Sequence, residues 1–104
     1  MATNWLYIMT NKEHGSFYVG STSDPAARLN EHRSGKGSKH VWKYNLFRVV
    51  YFQAYEDKDT ALVVEHRVKR KRRDYKIWLV EQANPDWLDL TQAWLAEAAR
   101  ETDF

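Results

Sequence analysis

The amino-acid sequence predicts an α+β domain with the order strand, strand, helix, strand, helix, helix. Three observations carry that expectation. Two short aromatic and β-branched segments, residues 5–10 and 16–21, flank the turn Lys12-Glu13-His14-Gly15 and read as a hairpin. A third segment of the same character spans residues 46–55. The stretches between and after these segments carry helix caps and helical spacing.

Taken in order, each element has its own reason. In the first segment, period-two alternation puts Trp5, Tyr7 and Met9 on one face and Leu6 and Ile8 on the other. Apolar residues on both faces predict a strand buried from two sides. Ser23 or Asp24 caps a helix over residues 23–32, with Pro25 at its first position, where a missing N–H costs nothing. Arg28 and His32 are four apart and share one helix face. Ser34-Gly35-Lys36-Gly37-Ser38 ends that helix in a basic loop. Val, Phe and Tyr make residues 46–55 a strand.

The longest helix is expected over residues 57–72, entered through Asp57 or Asp59, with Ala61, Val64 and Val68 at helical spacing. Glu65 sits at the edge of that stripe, where a carboxylate can point toward the sheet rather than into water. Residues 75–82 extend the helical region until Asn84-Pro85 breaks it. A last amphipathic helix over residues 89–100 packs Leu90, Trp94 and Leu95 against the body. Trp42, Trp78, Trp87 and Trp94 are expected as core or helix-packing residues rather than base-stacking platforms.

Composition bounds the function. The length fits one domain, residues 1–104, with a single core. A hydrophobic fraction of 43% with 14% aromatic residues is too apolar for a disordered segment. The absence of cysteine excludes disulfides and thiolate metal sites. No apolar run reaches the ~20 residues of a membrane span, and the N-terminus lacks the apolar core of a signal peptide. The expectation is a soluble cytoplasmic protein.

The net charge of +2 hides an asymmetry. Arg67, Lys69, Arg70, Lys71, Arg72, Arg73 and Lys76 crowd together, whereas residues 81–104 are mostly acidic. Clustered positive charge attracts a polyphosphate backbone through counterion release. A solvated helix face fits the same run when it is taken alone.

The motifs resolve that choice through a resemblance. Trp5-Leu6-Tyr7, Tyr18-Val19-Gly20, Arg28, His32 and Glu65 resemble, in order and spacing, the GIY-YIG nuclease domain superfamily. The likeness is to its small stand-alone bacterial members and covers roughly residues 4–90. It extends to the strand ending in Thr-Asn, the Tyr-Val-Gly-x-Thr-Ser-Asp pattern, Lys43-Tyr44-Asn45-Leu46, and an Asn-Pro-x-Trp-x-Asp-Leu ending at residues 84–90. The resemblance implies a three-stranded antiparallel sheet flanked by helices. Two positions depart from the pattern: Trp5 replaces the first glycine and Val19 the second isoleucine. Asn84 is a candidate for the family's late asparagine, without a secure match.

What the resemblance implies is metal-dependent hydrolysis of nucleic-acid phosphodiesters. Glu65 matches the residue that holds the divalent cation, Mg²⁺ or Mn²⁺; one carboxylate leaves the remaining positions to water and phosphate. Arg28 can fork two N–H bonds onto a phosphate and offset its developing charge. Tyr7 and Tyr18 take base and positioning roles, with the division between them open. A tyrosine near its ordinary pKa of ~10 needs a cation nearby to serve as a base. His32, one turn from Arg28, relays a proton or contacts the phosphate.

Lys12, Lys36, Lys39, Lys69, Arg70, Lys71, Arg72 and Arg73 are the expected nucleic-acid contacts, with DNA favoured over RNA. With no room for a separate DNA-reading domain, little intrinsic sequence specificity is expected, and targeting falls to substrate shape or a protein partner. Two other classes stay open: a nucleic-acid-binding module with weak or no catalysis, and an interaction domain for an acidic partner. A binding-only relic would be free to lose Glu65.

Overall fold

The computed structural model describes residues 3–101. Its elements are β1 (Asn4–Thr10), β2 (Phe17–Thr22), α1 (Pro25–Arg33), α2 (Lys39–Tyr44), β3 (Arg48–Tyr55), α3 (Lys58–Arg70), α4 (Arg73–Ala83) and α5 (Thr91–Glu101). The three strands form one antiparallel sheet in the order β2-β1-β3, so β1 is central and β2 lies at an edge. Tyr7 pairs with Gly20 on one side and Phe52 on the other. A register shift between Ile8 and Met9 marks a bulge in the β1–β3 pairing.

Strand alternation divides the core in two, as the sequence of β1 predicts. Trp5, Tyr7 and Met9 pack with Leu29 of α1, Val41 of α2 and Trp94 of α5. Leu6 and Ile8 pack on the opposite face with Val19, Val68 of α3, Val80 of α4 and Trp87. The central strand is buried from both sides because helices cover both. Burial of a large apolar side chain contributes roughly 1.5–3 kcal/mol, so this strand anchors the fold.

Local chemistry sets the helix ends. Asp24 caps α1 by accepting from the Ala27 N–H, with Pro25 in the first turn. Asp57 caps α3 through the Thr60 N–H at 2.7 Å. Arg33 at the end of α1 donates to the Phe47 carbonyl at 2.9 Å and to Thr91 Oγ1 at 3.3 Å, tying α1 to the approach of β3 and to α5.

Three expectations need correction. The segment before β3 contains a short extra helix, α2, capped by the Ser38 hydroxyl and stopped by Asn45 in the left-handed region. The long helix ends at Arg70, and extended backbone at Lys71 and Arg72 separates it from α4. Trp87 and Trp94 are buried as expected, but Trp42 is 53% and Trp78 is 52% exposed. Among the described residues, no helix is long and apolar enough to cross a membrane.

Candidate active site

The sheet and α1 bring two tyrosines, an arginine and a histidine to one point. Tyr7 projects from central β1 and Tyr18 from edge β2, with their ring centroids 6.0 Å apart. The register sets Gly20 directly opposite Tyr7. A Cβ on Gly20 would lie 2.8 Å from Tyr7 Cζ, Tyr7 Oη and Tyr18 Cε2. Only glycine lets both rings close over that backbone.

Arg28 joins the two phenols. Its Nε–H donates to Tyr7 Oη at 3.3 Å, and its terminal N–H donates to Tyr18 Oη at 3.2 Å. Glu31, one turn later, lies 3.6 Å from the same guanidinium. Burial works to lower the guanidinium pKa, but the bonds to Tyr7 and Tyr18 outweigh it and raise the pKa. Arg28 is therefore a fixed cation beside both phenols.

His32 completes the cluster from the next turn of α1. Its Nε2 is 2.8 Å from Tyr7 Oη, and its ring lies 5.0 Å from that of Tyr18. The side chain is fully buried, and the backbone of Gly37 in the following loop packs against it. Burial first, and the Arg28 charge second, bring the imidazole down to about 4, so it is neutral at physiological pH. Nδ1 has no hydrogen-bond partner among the described residues. A buried orphan N–H is costlier than a bare lone pair, so the network assigns the proton to Nε2. Tyr7 Oη then accepts from both His32 and Arg28, and its own O–H points away from them.

Tyr7 itself is pulled in two directions. Burial and repulsion from Tyr18 raise its phenol well above the ordinary range, while the Arg28 bond and charge lower it. Burial wins in the free protein. Trp94 of α5 backs the Tyr7 ring at 5.1 Å.

Glu65 approaches from the opposite face of the sheet, at edge strand β2. It is nearly buried, as its place beside the apolar stripe suggests. Ser21 Oγ donates to Oε1 at 2.6 Å, and Lys69 Nζ lies 2.7 Å from Oε2. Burial acts to raise this carboxyl, but the bonds from Lys69 and Ser21 and the Lys69 charge outweigh it, leaving it below the carboxylate range. The Lys69 ammonium is also 6.0 Å from the Tyr18 ring centroid, linking the carboxylate to the tyrosine side. A carboxylate and a hydroxyl are hard oxygen donors of the kind Mg²⁺ or Mn²⁺ takes, and here Ser21 and Lys69 engage both Glu65 oxygens. A second cluster, Glu13, His14 and Glu81, comes from the hairpin turn and α4. There the Glu81 carboxylate is engaged by Trp87 Nε1 at 2.8 Å and by His14.

The expected nucleic-acid contacts are spread over several elements. Lys12 is exposed on the hairpin turn, Lys36 on the loop after α1 and Lys39 at the start of α2. Arg70, Lys71, Arg72 and Arg73 are exposed where α3 meets α4. Arg73 donates to the His14 carbonyl and lies 4.7 Å over the Phe17 ring, which holds the α3–α4 joint to the hairpin. Lys69 faces Glu65 rather than standing free. Asn84 donates to the Val50 and Leu88 carbonyls at 3.1 and 2.9 Å and accepts from the Leu88 N–H. It clamps the turn after α4 onto β3. From the sequence Gly20 reads only as a motif position, Gly37 as part of a basic loop and Trp94 as a packing residue, and Ser21 has no role. The second-triplet glycine offered a signal for Gly20, and strand alternation offered one for Ser21.

A hairpin tyrosine pair bound by one arginine, with a carboxylate beyond the edge strand, defines a class. The chain belongs to the GIY-YIG catalytic domain family, a nuclease superfamily, whose family model matches residues 3–77. Its relatives within that family include UPF0213 proteins. One from Aeromonas hydrophila is 35% identical over 97 residues, covering 93% of this chain and 71% of the relative. Another, from Lacticaseibacillus paracasei, is 35% identical and covers 82% of this chain and 94% of its own. The solution NMR structure of a UPF0213 protein from Bacillus halodurans is similar at a TM-score of 0.55 and 33% identity. That likeness covers 86% of this chain and 95% of the relative. The fold is thus the α+β, three-stranded antiparallel sheet with helices expected from the sequence.

Proposed function

We propose that this chain is a divalent-cation-dependent endonuclease hydrolysing nucleic-acid phosphodiester bonds, with DNA favoured over RNA and little intrinsic sequence preference. The observation that carries this reading is the convergence of Arg28 on both Tyr7 and Tyr18. A strand tyrosine is ordinarily a packing residue. Two of them sharing one permanent cation form an anion-binding, proton-handling pair.

Each residue has a role that follows from its surroundings. The Arg28 guanidinium binds a phosphate oxygen and stabilises charge as it grows during displacement. Tyr7, whose oxygen accepts from His32 and Arg28, is the base: once its phenol has lost its proton, the phenolate accepts the proton of the attacking water and returns to the phenol. Tyr18 orients that water or the phosphate. Neutral His32 holds Tyr7 in place by donating to its oxygen. Glu65, with Ser21 beside it, would hold the divalent cation, which when bound supplies charge to offset the phosphate and favour phenolate formation.

The basic surface around Arg70, Lys71 and Arg72 gives sequence-independent affinity for the phosphate backbone. The domain acts as one unit over residues 1–104, in the cytoplasm, in DNA repair or processing, with targeting from substrate shape or a protein partner.

The test is metal dependence. Purified protein should nick or cut DNA with Mg²⁺ or Mn²⁺, and EDTA should stop it. Glu65→Ala should lose cutting by at least about a hundredfold while keeping its circular dichroism spectrum and DNA affinity. Full activity in Glu65→Ala removes the metal assignment. Parallel reactions on single-stranded, duplex and branched DNA and on RNA then define the substrate.

A further inference from the structure

Both oxygens of Glu65 are engaged, and one partner is itself a cation. Lys69, one helical turn later, sets its ammonium 2.7 Å from Oε2, while Ser21 occupies Oε1. The ammonium therefore competes for a carboxylate oxygen that a divalent cation would need. The two partners differ in freedom. The Glu65 side chain is 10% exposed and held against β2, whereas that of Lys69 is 45% exposed on a flexible stem. The carboxylate stays; the lysine can leave.

A destination lies beside it. His66, Lys69 and Arg70 line a shallow groove on α3, with no carboxylate among its described lining residues. The groove walls are mostly the carbon stems of these side chains, but all three end in nitrogen donors, two of them permanent cations, which suit a phosphate oxygen. The Lys69 ammonium already stands 6.0 Å from the Tyr18 ring, so it lies between the carboxylate and one member of the tyrosine pair.

From this geometry we infer that Lys69 is an exchangeable counter-ion: it holds Glu65 in the free protein and passes to a nucleic-acid phosphate in the His66–Lys69–Arg70 groove. The inference rests on Glu65 as the cation's ligand. Placing a divalent cation at Glu65 without a phosphate nearby leaves the displaced ammonium repelled by the incoming charge. A phosphate neutralises that ammonium and removes the repulsion. Cation and nucleic acid therefore strengthen each other's binding, by the same factor in both directions.

The readout is Mn²⁺ affinity, measured by electron paramagnetic resonance of free Mn²⁺. It is measured with and without a phosphorothioate DNA duplex, whose linkages keep their charge and resist cutting, after subtracting binding to the duplex alone. The wild-type protein should bind Mn²⁺ about fivefold more tightly with the duplex, the effect of one partly exposed ion pair. Lys69→Met should bind Mn²⁺ about fivefold more tightly than wild type without the duplex, and the duplex should add nothing. Glu65→Gln should lose binding in both conditions. Lys69→Gln replaces Lys69→Met if circular dichroism shows the latter unfolded. Wild-type Mn²⁺ affinity or undiminished coupling in the lysine variant, with Glu65→Gln inactive in binding, overturns the exchange and leaves the Glu65 assignment intact. Wild-type affinity in Glu65→Gln overturns both.

Discussion

The neutral, buried His32 gives a pH dependence whose sign and size can be worked out. Its imidazole falls from 6.5 to about 4 on folding, through burial and the Arg28 charge. The unfolded chain therefore binds a proton between those values that the folded chain refuses. Stability is full above about pH 6.5 and drains as pH falls toward 4. That lowering contributes a loss of about 2 kcal/mol by pH 5 and about 3 kcal/mol at pH 4, relative to pH 7. Arg28 keeps its charge and Tyr7 stays neutral throughout this range, so neither masks the effect.

Urea denaturation of wild type and His32→Gln at several pH values from 7 to 5 isolates the effect. Glutamine retains an N–H donor but does not titrate. Carboxylates elsewhere titrate alike in both proteins and cancel in the difference. The gap between the two curves should close by about 2 kcal/mol from pH 7 to pH 5. Parallel curves over that range would mean that His32 is solvated or already protonated, and the tautomer assignment at Tyr7 would fall with it.

Other predictions concern packing, anchoring and charge. Gly20→Ala should cost about 1–3 kcal/mol and displace the rings, lowering the cutting rate; a folded variant with the wild-type rate rejects the ring-over-glycine geometry. Asn84→Ala should lower urea stability by about 1–2 kcal/mol by orphaning the buried Val50 carbonyl and releasing the turn at Leu88; a change below about 0.5 kcal/mol would show that water replaces the lost bonds. Replacing Arg70, Lys71 and Arg72 with Ser should reduce the slope of log DNA affinity against log salt by about 2 to 3. An unchanged slope would turn that surface away from nucleic acid.

The strands and most helices were legible because their signals are local. Alternation in residues 5–9, Pro25 behind Asp24, and the spacing of Ala61, Val64 and Val68 are all short-range patterns. Helix α2 escaped notice because only Val41 in it is buried, so no apolar stripe announces it. The break between α3 and α4 has neither proline nor glycine; it appears only as extended backbone at Lys71 and Arg72. Among the candidate site residues, the motif tyrosines, Arg28 and Glu65 were picked out by order and spacing, and the structure brings Tyr7, Tyr18 and Arg28 into contact. The burial of His32 was not legible, because it depends on the Gly37 loop folding back over the end of α1. The Glu65–Lys69 pair lay in plain view at helical spacing. Its lysine was grouped with the neighbouring cations because sequence does not say which one turns inward.

Trp94 bears on how this protein can be divided. It backs the Tyr7 ring from α5, beyond the residue-77 limit of the family match. A proteolytic fragment ending at residue 77 would keep every residue assigned to catalysis. It would nonetheless lose the wall behind Tyr7, and with it Val80 and Trp87 from the opposite core. Water would then reach a Tyr7 ring that is fully buried in the intact domain. The segment that carries the motif is therefore smaller than the unit that packs it: transplanted alone into another chain, it would carry the motif side chains without the helix that walls them in.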